Sequence, residues 1–214
     1  MSAAGTLACE TREGTWVVPP DRAVWIPPGR QHRLSAAGSV SLRALYFRPE
    51  FWDGGERCRV LRLGPLLRAL ILRSAEPRRG RDRDAAERRL AVLRDELASA
   101  AEAPLGLTLG GDPRLRRVTE TLADDPADNR SLALWAPAAA ASERTLARLF
   151  LAETGLSFGD WRRQARLLKS LSLLAGGASV TMVALDLGYA GPSAFIQAFR
   201  RQFGTTPGKY LKET

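Results

Sequence analysis

The sequence predicts an α+β chain: a partial antiparallel β unit, a helical connector, and an all-α domain in which a linker helix joins two helix-turn-helix units. Three observations carry this. Residues 5–48 hold short β-rich runs separated by Pro-Pro, Pro-Pro-Gly and Ala-Gly-Ser punctuation. From about Val60 the apolar residues recur three and four apart, the period of a helix with one buried face. Beyond residue 111 the chain repeats itself at an offset of 49 residues.

In chain order, residues 15–18, 23–26 and 40–47 read as strands. Leu63, Leu66, Leu67, Leu70 and Ile71 form the first helical stripe, ended by a charged break over 76–83. A second helix is expected over 84–101. Its stripe of Leu90, Leu93 and Leu97 suits a dimer seam or a face packed on the β unit, and packing within the chain is the favoured use. Residues 104–111 contain one Pro, three Gly and no charge, and read as a linker that marks a domain boundary. The expected units are a small β unit over 1–55, a connector and linker over 56–111, and a helical domain over 112–214.

Composition narrows the function. Of the 214 residues, 45% are hydrophobic and 26% charged, as in soluble globular chains, which leaves out disordered and collagen-like classes. The longest apolar run, 132–141, has ten residues where a membrane span needs about 20. The N-terminus lacks the basic-then-apolar pattern of a secretory signal, and Cys9 and Cys58 are far apart in sequence, so a reducing cytoplasm is expected and a membrane is not. The net charge of +9 and a pI near 10.6 suit a polyanionic partner such as nucleic acid. The excess is spread evenly: residues 1–111 carry 18 basic and 13 acidic side chains, and residues 112–214 carry 14 and 10. Arg outnumbers Lys 29 to 3, which a base-composition bias alone can produce.

The repeat is the most informative feature. Leu146, Phe150 and Gly155 fall on Phe195, Phe199 and Gly204, so each copy has a helix that buries an i, i+4 pair and ends at a glycine suited to a left-handed cap. A shorter helix precedes each, with Ala136 and Ala184 where the helices cross, which is the helix-turn-helix pattern. The units span about 131–152 and 179–203. Between them, residues 157–175 form a helix about 28 Å long. A rigid spacer of that size can set two recognition helices in major grooves that recur every ~34 Å on one face of a duplex.

The stretch 131–210, above all SERTLARLFLAETGLSFGDW and SVTMVALDLGYAGPSAFIQAFRRQFGTTPGKY, resembles the C-terminal DNA-binding domain of the AraC/XylS transcription regulators. The distinctive order is a Ser-x-x-Thr-Leu-x-Arg-x-Phe helix, Glu-Thr-Gly, a linker helix, Leu-Gly-Tyr, a Phe-bearing helix, then Phe-Gly-x-x-Pro-x-x-Tyr. The resemblance implies a bacterial regulator that binds double-stranded promoter DNA with both units, usually as a homodimer governed by a small organic effector, with RNA polymerase as a further partner. The N-terminal half resembles the family's cupin-like sensor in part: Gly14, Pro19-Pro20, Trp25-Ile26-Pro27-Pro28-Gly29 and His32 look like the second cupin motif, Pro-x-Gly-x-x-His. The first cupin motif would fall before Met1. A shortened barrel is therefore expected to expose an edge strand or to close on another chain, and a misplaced start codon accounts for the missing strands equally well. His32 is the single histidine, one ligand where zinc or iron needs three or four, so no metal or other cofactor is expected.

Residue roles follow from the faces of the recognition helices. With Leu146, Leu149, Phe150, Phe195 and Phe199 inward, Arg144 and Arg148 project together one turn apart, and an arginine fork matches the O6/N7 edge of guanine. In the second copy Ser193 and Gln197 face outward, with Arg200 and Arg201 better placed for phosphates. The resemblance assigns Glu143, Arg144, Ala147 and Arg148 to the first helix's DNA contacts and Pro192, Ser193 and Gln197 to the second's. An effector pocket is expected to use Trp16, Trp25 and Tyr46, which serve equally as the core of so small a unit. In the first unit Pro137 stands where the family has a polar residue and Ala140 where it usually has glycine, and Ala133 and Leu134 occupy commonly acidic positions. Pro137 weakens the helix if interior and costs little in a first turn; a left-handed Ala140 adds roughly 1–2 kcal/mol of strain.

The leading reading is a sequence-specific DNA-binding transcription regulator. The alternative is a regulator-derived protein with impaired DNA binding that acts by protein association. An enzyme is not expected, because the sequence offers no paired carboxylates at constrained spacing, no phosphate loop and no cysteine cluster.

Overall fold

The computed structural model describes residues 1–76 and 83–212. Among the described residues, seven strands form two antiparallel sheets. Strands β1 (Ser2–Thr11), β2 (Gly14–Val18), β4 (His32–Leu42) and β7 (Gly106–Thr108) pair in the order β4-β1-β2-β7. Strands β3 (Arg22–Trp25), β5 (Arg59–Arg62) and β6 (Glu102–Ala103) pair in the order β3-β5-β6. Register follows side-chain alternation: Cys9 lies opposite both Trp16 and Leu34, and Cys9, Trp16, Cys58 and Val60 share one buried cluster. Burial raises both thiols, Cys9 to about 12 and Cys58 to about 11. β4 forms an outer edge of its sheet and is largely exposed.

Three expectations are corrected here. The helix expected from about Val60 starts at Pro65, as α1 (Pro65–Ala75), because Val60 and Leu61 are strand residues facing the two cores. The strand expected over 40–47 ends at Leu42. Residues 104–111 are no free linker: Gly106–Thr108 pairs with β2, and Gly106 leaves room for the Trp16 ring, which an added Cβ would meet at 2.7 Å. Turn-forming composition concealed a short strand whose glycine admits a close neighbour. The charged break over 76–83 lies mostly outside the described residues.

Helix α2 (Arg83–Ser99) packs on α1 within the chain, burying Leu93 and Leu97 with Leu67, Ile71, Trp52 and Leu61. The remaining helices are α3 (Pro113–Asp124), α4 (Leu132–Ala138), α5 (Glu143–Leu149), α6 (Phe158–Ala175), α7 (Val180–Asp186), α8 (Pro192–Phe203) and α9 (Pro207–Lys212). α6 is the hub. Its Trp161, Ala165, Leu168 and Leu171 join the cluster that holds Trp16 and Cys9 on one side and Phe150 and Phe195 on the other. Trp161 Nε1 donates to the Thr108 carbonyl at 2.9 Å, and Gln164 Nε2 donates to that of Gly106. The sheet is thus built onto the linker helix. No helix among the described residues is long and apolar enough to cross a membrane.

Candidate nucleic-acid interface

Each helix-turn-helix unit is formed by local signals. In the first, the Ser142 hydroxyl accepts from Thr145 N at 3.1 Å and starts α5, which passes into a π-helical turn over Phe150–Thr154 and stops at Gly155 with φ 73°. In the second, Ser179 accepts from Met182 N at 3.2 Å and starts α7, and α8 opens at Pro192 and stops before Gly204 with φ 76°. Leu146, Leu149, Phe150, Phe195 and Phe199 are all buried, as expected from their spacing.

That burial decides what points outward. Glu143, Arg144 and Arg148 are exposed on α5 and Ala147 is half-buried between them. Pro192 opens α8, with Ser193, Gln197, Arg200 and Arg201 exposed along it. The arginines divide sharply. Eleven lie in residues 112–212. Those of α3, α6 and the loop before α4 are engaged: Arg114 with Asp112, Arg116 with Glu120, Arg117 with the Ala138 carbonyl, Arg130 with Asp128, Arg162 with the Arg130 carbonyl, Arg163 with Asp160, and Arg166 with Pro126 and Asn129. The Arg130 pairing holds the Asp128 carboxyl below the usual carboxylate range. Among the described residues, Arg144, Arg148, Arg200 and Arg201 make no ion pair or side-chain hydrogen bond. All four sit on the two recognition helices.

The three aromatic residues expected to line an effector pocket do not converge. Trp16 lies in the core shared with α6, whereas Trp25 packs edge-on against Trp52 at 4.6 Å in the other cluster, and Tyr46 is 93% exposed. Aromatic content showed which residues could hold a ligand but not which sheet each would face. His32 opens β4, is exposed, and its Nδ1 contacts the Arg30 carbonyl at 3.0 Å. Among the described residues no three His, Cys, Asp or Glu stand together as a metal site. A cleft of about 700 Å³ separates the sheet from α3 and α6, with Thr6, Ala8 and Val17 on one wall and Ala123, Leu168 and Lys169 on the other.

Sequence reasoning missed the arginines of α6 and Glu153, whose carboxylate accepts from Gly111 N at 2.6 Å and Asp112 N at 3.1 Å and ties the end of the first unit to α3. The signal for the arginines was the run of basic residues on α6, a helix whose length was used only to read it as a rod.

A family model described as a helix-turn-helix domain matches residues 135–213, and one described as an AraC-like ligand binding domain matches residues 2–93. The chain is 38% identical over 208 residues to the HTH-type transcriptional regulator NimR of Escherichia coli, covering 97% of this chain and 76% of that protein. It is 30% identical over 210 residues to the HTH-type transcriptional regulator RipA of Corynebacterium diphtheriae, covering 95% and 59%. The solved DNA-binding domain of AdpA in complex with a target DNA is 30% identical over 48% of this chain and 93% of its own, with a TM-score of 0.44. These relatives are transcription regulators and not enzymes. The chain belongs to the AraC/XylS family of helix-turn-helix transcription regulators.

Proposed function

We propose that this DNA-binding regulator reads sequence in two successive major grooves, with α5 in one and α8 in the next. Arg144 and Arg148 take base edges, Glu143 and Ala147 shape the same contact, Pro192, Ser193 and Gln197 face the second groove, and Arg200 and Arg201 hold phosphates. The observation that carries this reading is that the four arginines without a partner in the helical domain all lie on the two recognition helices. An unpaired guanidinium keeps its full hydrogen-bonding fork for bases and phosphates.

Control by a small organic effector belongs to the same proposal. The cleft between sheet and α6 supports it, since a ligand there touches the β unit and the linker helix at once. A second copy of the chain and RNA polymerase are the partners that the resemblance adds, read out by the size of the DNA complex with and without polymerase. The second reading, impaired DNA binding with action through protein association, draws on Pro137 within α4, on Ala140 at φ 49° and on the exposed Leu134.

The test is DNA titration of the full chain, because the helical domain shares its core with the sheet. Duplexes selected from random DNA are expected to show two protected subsites about 10–10.5 base pairs apart. Arg148→Ala is expected to cost about 1–3 kcal/mol and relax discrimination at one base position. Arg200→Ala is expected to weaken all sequences alike and flatten the salt slope by about one. Equal loss on selected and random duplexes for Arg148→Ala would remove its base-reading role, and no selected sequence at all would favour the second reading.

A further inference from the structure

The length of α6 fixes how far apart the two helix-turn-helix units stand, but a rod alone leaves each unit free to turn about it. The orientation is held by side chains. Arg166 is half-buried and makes no ion pair among the described residues. Its Nε donates to the Pro126 carbonyl at 2.7 Å, and its Nη2 donates to Asn129 Oδ1 at 2.9 Å and to the Ala127 carbonyl at 3.3 Å. Its guanidinium stands 5.8 Å over the ring of Tyr189, in the turn of the second unit, and Tyr189 packs at 5.3 Å on Phe195 of α8.

The segment that Arg166 grips leads directly into the first unit. One turn earlier on α6, Arg162 donates to the Arg130 carbonyl at 2.8 Å, and Arg130 stacks 3.7 Å over Trp135 of α4. The same loop touches the second unit, since a Cβ on Gly188 would stand 2.9 Å from the Ala127 oxygen. A continuous path of contacts therefore runs from Trp135 through Arg130, residues 126–129 and Arg166 to Tyr189 and Phe195. Burial first, and then the neighbouring Arg162 charge, pull the Arg166 pKa below the ordinary arginine value, against the opposing pull of Tyr189, Asp125 and Asp128.

We propose that Arg166 is a positioning residue that fixes the orientation of α5 relative to α8 and thereby sets the base-pair spacing the protein accepts between its two DNA subsites. This rests on the reading that both helices enter DNA. Arginine suits the role because its planar fork reaches several carbonyl oxygens in one fixed geometry, which the single ammonium of lysine does not. Spacing is a sharp readout: one inserted base pair turns the second subsite by about 35° about the duplex, since a turn takes 10–10.5 base pairs.

The experiment uses the full chain and a duplex that the wild type selects from random DNA, together with the same duplex lengthened or shortened by one base pair between the protected subsites. The wild type is expected to lose about tenfold or more on either altered duplex, the size of one lost base contact. Arg166→Lys is expected to bind the selected duplex a few-fold more weakly yet lose less than about threefold on changing the spacing. Asn129→Ala removes one acceptor from an exposed loop side chain and is expected to move the same way, which keeps the test intact if Arg166→Lys does not fold. Variants that weaken every duplex equally and keep the wild-type spacing penalty would overturn the proposal while leaving the two-groove reading in place. A wild-type footprint over one groove only would remove both.

Discussion

The two helix-turn-helix units use the same parts, 48 or 49 residues apart, but distribute local stability and DNA-facing charge in opposite ways. The first helix of the second unit is well made. Ser179 caps it, Leu185 is a good interior residue, and Gly188 takes the left-handed turn at φ 71°. Its counterpart α4 has a Ser131 that makes no cap hydrogen bond, a Pro137 that offers no N–H to the Ala133 carbonyl, and an Ala140 forced to φ 49°. Yet the first recognition helix carries its unpaired Arg144 in the first turn and Arg148 in the last turn of α5, while α8 carries both of its unpaired arginines at its far end. Tertiary contacts make good part of the deficit in α4. Trp135 is buried under Arg130, and Arg117 donates at 3.0 Å to the Ala138 carbonyl left open at the helix end. A poor helix can persist where its neighbours hold it.

The largest expected effects test whether the cores of the two units are equal although their first helices are not. Phe150→Ala and Phe199→Ala each remove a fully buried ring and are each expected to cost about 3–5 kcal/mol in thermal or denaturant unfolding of the full chain. A much smaller cost for Phe150 would mean that the first unit is loosely packed as well as locally strained. The next step asks what the proline and the alanine cost. Pro137 is the sixth residue of α4, beyond the first turn, so the interior penalty of up to about 3 kcal/mol applies and the benign placement does not. The double change Pro137→Arg, Ala140→Gly is expected to raise the melting temperature and tighten DNA binding; no gain in either would mean that the chain already accommodates both residues.

Much of this contrast was legible in the sequence. The offset repeat gave both units, the linker helix and the five buried positions, because helices of 3.6 residues per turn print their buried face directly into local spacing. The resemblance, which has glycine where Ala140 stands, raised the left-handed backbone there as a condition, and Ala140 takes it at φ 49°. Pairings between distant segments were not legible. Gly106–Thr108 becomes a strand only because β2 and α6 lie beside it, and Trp16, Trp25 and Tyr46 separate because strand register assigns each to a different surroundings. Arg166 was hidden for the same reason, its partners lying 37 to 40 residues away.

Smaller effects separate the turns. Gly188→Ala is expected to destabilise by at least about 1–2 kcal/mol, since a left-handed alanine is strained and its Cβ would meet the Ala127 oxygen at 2.9 Å. Ala140→Gly alone is expected to stabilise by up to about 1 kcal/mol, because relief of strain outweighs the greater freedom that glycine has when unfolded. Opposite signs in one melting series confirm that the turns share a backbone and differ in side chain. A stabilised Gly188→Ala would break the equivalence.

The smallest effect concerns the two cap serines, and it isolates local structure from everything else in the units. Ser131 and Ser179 have nearly the same extended backbone, with φ −72° and −70° and ψ 164° and 151°. Only Ser179 uses its hydroxyl, accepting from Met182 N at 3.2 Å. A serine that satisfies one of the open N–H groups of a helix start is worth about 1 kcal/mol over alanine, whereas one that does not has little to lose. Ser179→Ala is therefore expected to lower stability by about 1 kcal/mol and Ser131→Ala by a few tenths at most. Both side chains are exposed, so neither change opens a cavity, and denaturant midpoints at constant slope read the difference directly. Equal losses would mean that Ser131 caps α4 in solution and that the weakness of the first unit lies in Pro137 and Ala140 alone.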